Sequence, residues 1–182
     1  MVLKADLHLH TREGESWIAY EARDLVDRAA RDGYHVLSIT NHNTVTFSED
    51  LAAYARERGI LLIPGVEATI EGKHVLLYNL DVPPARIRTF ADLRRLQAAD
   101  WLVVAAHPFF PHPSCLRDRV LREIDLFDAI EFSHFYTPRI VISTGAPLGL
   151  PGRPACHSWE LRTATSPSSS GRPTPSSRAT RQ

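Results

Sequence analysis

Strand-like and helix-like segments alternate along residues 1–142 of this chain, and that order limits its architecture more than any single residue does. Residues 3–10 alternate apolar and polar side chains at period 2, the pattern of a half-buried strand. Residues 20–32 carry Ala22, Leu25, Val26 and Ala29 at helical spacing, with Gly33 as the stop. Residues 34–40 form the next strand, and Ser48 caps a helix over residues 48–58 that ends at Gly59. Residues 60–63 and 66–70 are strand-like, and Gly72-Lys73 turns into a further strand over 74–80. A helix over 85–99 follows Pro83-Pro84, and strands follow at 101–106 and 129–133. Alternation of this kind predicts βα units and a mainly parallel sheet. Such sheets place ligands at the C-terminal ends of their strands.

The side chains capable of chemistry cluster at those ends. His8 and His10 close the first strand, and two imidazoles at that spacing can converge on one metal ion. Asn41, His42 and Asn43 follow the second strand, and Glu67 sits in Pro64-Gly65-Val66-Glu67. His107 directly follows the strand 101–106, and Glu131 and His134 come near the end of the strand after it. Taken singly, each has a structural alternative, such as a loop cap or a carboxylate paired with arginine. Together, five segments deliver His or Glu to one edge of the sheet. His35, His74 and His112 lack that placement and read as structural or surface residues.

Asp6-Leu7-His8-Leu9-His10-Thr11, Thr40-Asn41-His42-Asn43-Thr44, Gly65-Val66-Glu67, Ala106-His107-Pro108 and Glu131-Phe132-Ser133-His134 occur in a telling order. In these motifs the chain resembles the PHP (polymerase and histidinol phosphatase) family of metal-dependent phosphoesterases. The resemblance implies an α/β fold, a distorted (β/α)7-type barrel that is C-terminally incomplete here. It implies two or three divalent metal ions (Zn, Mn or Fe). His8 and His10 would bind one of them. Glu67 would bridge to a second, also held by His107 and His134, and His42 would serve a third with help from Glu13 or Glu15. His8, His10, Glu67, His107 and His134 would then form the catalytic set. They would hydrolyse a phosphate ester of a small metabolite or nucleotide through metal-activated water. Arg12 or Arg139 is the candidate for a non-bridging phosphate oxygen, with a surface role as the alternative.

Two departures from the family pattern stand out. Asn41 occupies a position where the family usually has Asp, so it brings hydrogen bonds without charge. No Asp-x-His follows His134, although the family closes its site with one. The composition changes near the same point. Residues 143–182 are rich in Ser, Thr, Pro, Gly and Arg with Glu160 as the only acid, so residues 1–142 are read as the PHP domain and 143–182 as a disordered or frameshifted tail. Read one base back, the codons of Trp159 through Thr165 can encode Gly-Thr-Ser-Asp-Cys-His, which contains the missing motif.

Composition narrows the remaining options. The formal net charge is zero, so no basic field points to nucleic acid. Cys115 and Cys156 are the only cysteines, which suits a reducing, cytoplasmic setting. No apolar run or leader pattern points to a membrane, and no protein partner is evident. The leading expectation is a phosphoesterase. The alternatives are a non-catalytic metal-binding or regulatory module and a PHP-type nuclease.

Overall fold

The computed structural model describes residues 2–131 and the backbone of residues 159–160. His134, Arg139, His157 and the tail over 143–182, apart from that short backbone stretch, lie outside the described residues. The strands are β1 (Lys4–Leu9), β2 (Val36–Ile39), β3 (Leu61–Ile70), β4 (Lys73–Tyr78), β5 (Leu102–Ala105), β6 (Ala129–Ile130) and β7 (Trp159–Glu160). The helices are α1 (Ala22–Arg31), α2 (Glu49–Arg56), α3 (Phe90–Leu96) and a short α4 (Arg119–Arg122). No helix among the described residues is long and apolar enough to cross a membrane.

One sheet runs in the order β6-β5-β4-β3-β2-β1-β7. Its pairings are mixed, which corrects the mainly parallel expectation. β1–β2, β2–β3 and β5–β6 are parallel, whereas β3–β4, β4–β5 and β1–β7 are antiparallel. The antiparallel section arises from a tight hairpin. Glu71 and Gly72 both have positive φ, 48° and 74°, which matches the right-handed twist of the strands they join. Residues 60–63 and 66–70 are parts of one strand, not two. β3 pairs with β2 as far as Pro64 and with β4 from Gly65 onward, so the proline stands where the strand changes partner.

Helix boundaries follow local chemistry. Ser48 caps α2 as expected, its hydroxyl accepting from the Leu51 N–H at 3.1 Å. The expected helix over 85–99 is broken. A 3-10 turn at Pro84–Arg86 precedes α3, which restarts at Thr89 with a reciprocal capping box to Asp92.

The sheet has two packed faces. Val66, Ala68 and Ile70 of β3, Val75 and Leu77 of β4, and Val103 and Ala105 of β5 pack on the α3 side. Leu37, Ile39 and Leu62 pack against Ala22, Val26 and Ala29 of α1 and Leu51 and Ala55 of α2. The other face holds a smaller cluster of Leu76, Tyr78, Val104 and Ala106, with Leu7 and Ile63 against it. This inner face is concave. β1 and β4 stand three places apart, roughly 14 Å in a flat sheet, yet the Tyr78 hydroxyl donates to the Leu7 carbonyl at 2.8 Å. The sheet is therefore a curled, partial barrel with helices outside.

Candidate metal centre

Alternation along β3 aims Glu67 inward, because its neighbours Val66 and Ala68 face the outer core. Glu67 is 1% exposed, and its two oxygens are ringed by imidazoles. Oε2 lies 3.0 Å from His8 Nε2, 3.1 Å from His10 Nε2 and 3.2 Å from His42 Nε2. Oε1 lies 2.8 Å from His74 Nδ1 and 3.0 Å from His107 Nε2.

Different elements deliver these rings. His8 and His10 come from the end of β1, where the pairing with β2 is irregular between Asp6 and Leu9. Leu7 consequently faces the inner cluster and Leu9 the outer one. Strict alternation is therefore not what brings the two rings together; both turn onto the same Glu67 oxygen. His42 follows β2 and forms a parallel bridge with Glu67. His107 follows β5 with φ of 27°, a left-handed conformation that is costly for a residue with a side chain.

Two further buried carboxylates brace the ring. Glu131 Oε1 lies 2.9 Å from His8 Nδ1, and its Oε2 accepts the His107 N–H at 2.7 Å. Glu15 Oε1 accepts the His42 N–H at 2.9 Å, meets His42 Nδ1 at 2.5 Å and lies 3.6 Å from His10 Nδ1. The two loop candidates thus separate. Glu15 joins the site, whereas Glu13 accepts the Ala22 N–H at 2.8 Å at the start of α1. Asn41 is fully buried and orients the loop after β1. It accepts the Thr11 N–H at 2.8 Å and donates to the Thr11 and Thr46 hydroxyls at 3.0 and 2.7 Å.

His74 was expected to be structural or superficial, and its position corrects that reading. β4 runs antiparallel to β3, so its N-terminal end lies at the same edge as the C-terminal ends of the parallel strands. The hairpin register pairs Thr69 with His74, which places His74 on the inward face with Glu67. Counting outward from the Glu71-Gly72 turn is the sequence signal that finds it. Cys115 is a second unforeseen neighbour, its sulfur 3.1 Å from His107 Nδ1.

The donor set suits divalent cations. A carboxylate only accepts hydrogen bonds, and a neutral imidazole has one N–H and one lone pair. His8 faces a carboxylate with each ring nitrogen, so one N–H cannot satisfy both contacts; a second proton or a cation must. Burial disfavours charge on His8, but hydrogen bonds to Glu131 and Glu67 overcome this and raise its pKa to about 10. Burial likewise pushes the Glu67 carboxyl up, while hydrogen bonds from His10, His107, His74 and His8 prevail and hold it far below the usual carboxylate range. Among the described residues, buried His10 Nδ1 has no hydrogen-bond partner, which leaves a lone pair or proton there unsatisfied. Three groups among the described residues hold ligand atoms close enough for one ion: His8, Glu67 and His107; His10, Glu15 and His42; and His42, Glu67 and His74.

The chain is 30% identical over 145 residues to an uncharacterized protein of Methanocaldococcus jannaschii, covering 74% of this chain and 83% of that one. It is 31% identical over 94 residues to a 3',5'-nucleoside bisphosphate phosphatase of Chromobacterium violaceum. That match takes in 50% of this chain and 32% of the phosphatase, so the chain spans about a third of that enzyme's length. No family model matches the chain. Among solved structures, a two-domain Bacteroides vulgatus protein described as containing a predicted PHP-like metal-dependent phosphoesterase superposes with a TM-score of 0.53. The sequence identity is 22%, over 71% of this chain and 44% of that one.

The chain belongs to the PHP family. In PHP terms, its described half-barrel brings His8 and His10 from the end of β1 and His107 from the end of β5 into one cavity. His8, His10, His42, Glu67 and His107 are drawn into one cluster, while His134 lies outside the described residues.

Proposed function

We propose that this PHP protein is a metal-dependent phosphoesterase acting on a small phosphorylated metabolite or nucleotide. The observation that carries the reading is the convergence of five imidazoles on the single buried carboxylate of Glu67. His8, His10, His42, Glu67 and His107 are the ligands this reading assigns within the described residues, with His134 expected from sequence and His74 and Glu15 added from geometry. Divalent ions such as Zn, Mn or Fe supply Lewis acidity toward a phosphoryl oxygen and make water a competent nucleophile near neutral pH.

The chain's own residues have separable tasks in this reading. Glu67 supplies one oxygen to each side of the cluster and so couples the sites. Glu131 accepts from His8 Nδ1, which leaves Nε2 to face the cluster. Glu15 does the same for His42. Glu131 also holds the strained His107 backbone in place through its N–H. The likeness to a nucleoside bisphosphate phosphatase supports phosphate esters as the substrate class. Residues 1–142 are proposed as the PHP domain, and the free, buried thiol of Cys115 accords with a cytoplasmic setting.

Elemental analysis and phosphatase assays with added Mn²⁺ or Zn²⁺ test the proposal. Two or three bound ions and hydrolysis of a phosphomonoester or nucleoside bisphosphate are expected. Glu67→Gln should cut hydrolysis by more than about 100-fold and lower metal content, because outer-sphere changes alone already cost about 10- to 100-fold. A metal-loaded protein with its late Asp-x-His restored that hydrolyses no phosphoester would refute the enzyme reading. One weakly held ion would favour the non-catalytic metal-binding module.

A further inference from the structure

We propose that His112 binds the substrate's phosphoryl group, donating a hydrogen bond from Nε2–H to a non-bridging oxygen. The inference rests on the phosphoesterase reading and names a recognition residue for it. Two observations carry it: a ring nitrogen whose proton is assigned by its neighbours, and a cavity with no Arg or Lys among its described lining residues.

The proton position follows from Ser114. The Ser114 N–H reaches His112 Nδ1 at 3.3 Å, and the Ser114 hydroxyl lies 2.7 Å from the same atom. A backbone N–H can only donate, so Nδ1 is the acceptor and the proton of the neutral ring sits on Nε2.

The ring is also held in place. Pro111 and Pro113 fix φ on either side of it. The Cys115 N–H donates to the His112 carbonyl at 3.1 Å, and the Arg117 N–H closes the loop onto the Pro108 carbonyl at 2.7 Å. The loop is tied to the start of β4 as well. Lys73 Nζ donates to the Pro113 carbonyl at 2.6 Å, and the His74 N–H donates to the Ser114 carbonyl at 2.8 Å. The strand that brings His74 to Glu67 therefore also anchors the loop that carries His112.

His112 lines the same cavity, about 510 Å³, as Glu67, His74 and His107. No Arg or Lys is among the described residues lining it. Arg12, one candidate from the sequence, instead pairs with Glu21 and donates to the Ala19 carbonyl. A phosphate ester seated at the cluster keeps ionised oxygens pointing away from it, and a neutral N–H donor to an ionised acceptor makes a strong, short hydrogen bond. His112 is exposed at the rim, so it is available to make it.

The test measures binding of inorganic phosphate to the metal-loaded full chain by calorimetry, beside steady-state hydrolysis of a phosphomonoester. His112→Ala and His112→Phe should each weaken phosphate binding by about 10-fold and raise KM in parallel, with metal content unchanged. His112→Gln, which keeps an N–H donor at similar reach, should recover most of the loss. Ser114→Ala should give a smaller, roughly threefold loss by freeing the tautomer. Long-range proton–nitrogen spectra should show the Nε2–H tautomer in the free protein and a shift of that proton on adding phosphate. Phosphate binding and KM within twofold of wild type for both His112→Ala and His112→Phe overturn the inference and leave the phosphoesterase reading intact. A metal-loaded protein with its late Asp-x-His restored that hydrolyses no phosphoester overturns both.

Discussion

Glu131 Oε1 sits 2.9 Å from His8 Nδ1, although His8 lies on β1 and Glu131 directly follows β6. β6 and β1 are five places apart, roughly 24 Å in a flat sheet. The contact therefore exists only because the sheet curls. The second Glu131 oxygen accepts the His107 N–H at 2.7 Å, so one carboxylate fixes two of the five imidazole positions.

Glu131→Gln tests that arrangement. The amide offers its oxygen to only one of the two donors and turns N–H groups toward the other. Metal affinity should fall by about 10- to 100-fold, as for other partners that orient a metal-binding histidine. Competition with a chromogenic chelator measures this. Unchanged affinity would remove Glu131 from any orienting role.

The stability of the metal-free protein should depend on pH from both sides. His8 has its pKa raised to about 10 from an ordinary 6.5, so its stabilisation is complete below about pH 6.5 and is lost as pH climbs toward 10. Glu67 has its pKa lowered from an ordinary 4.5, so its stabilisation is present above that value and is lost on further acidification. The melting temperature in the presence of a chelator should peak between roughly pH 5 and 6.5. Metal competes with the same protons, so affinity should rise with pH above 6.5. A chelated protein with a flat melting profile from acid to alkali would contradict this account.

Asn41→Ala should cost about 2–3 kcal/mol, because it leaves the buried Thr11 N–H without its acceptor. Asn41→Asp should cost less, since both threonine hydroxyls can rotate to donate to the carboxylate. Gly14→Ala attacks the same contact from the loop: an added Cβ would lie 2.3 Å from the Asn41 Cβ. Denaturant unfolding curves of the three variants give the order, and an Asn41→Ala midpoint equal to wild type would show that the network does not hold the loop.

Frame restoration is the last test. If the codons of Trp159 through Thr165 are read one base back as Gly-Thr-Ser-Asp-Cys-His, the restored chain gains an Asp-x-His. It should hold more metal and hydrolyse phosphoesters faster than the unrestored chain. Codons at those positions that cannot be read in this way would end the proposal.

Sequence and tertiary structure contributed differently. The apolar periodicity was enough to place α1, α2 and most strands, because helix and strand faces repeat at fixed intervals. It was also enough to single out His8, His10, His42, Glu67 and His107, since each stands at or near a strand end or on an inward strand position. The helix expected over 85–99 was overestimated because Thr89 and Asp92 form a local cap that interrupts it. Glu15 was visible only as one of two loop carboxylates, because its burial depends on a loop held by Asn41 from 30 residues away.

What the sequence alone determined is that imidazoles and carboxylates gather at one edge of an α/β sheet. The tertiary structure decided which of them meet. The Glu71-Gly72 hairpin reverses β4 and brings the N-terminal His74 to an edge otherwise built from C-terminal ends. The curl of the sheet brings Glu131 to His8 across 123 residues. Both outcomes depend on strand direction and sheet curvature, which are set by pairing between distant segments rather than by the local order of residues.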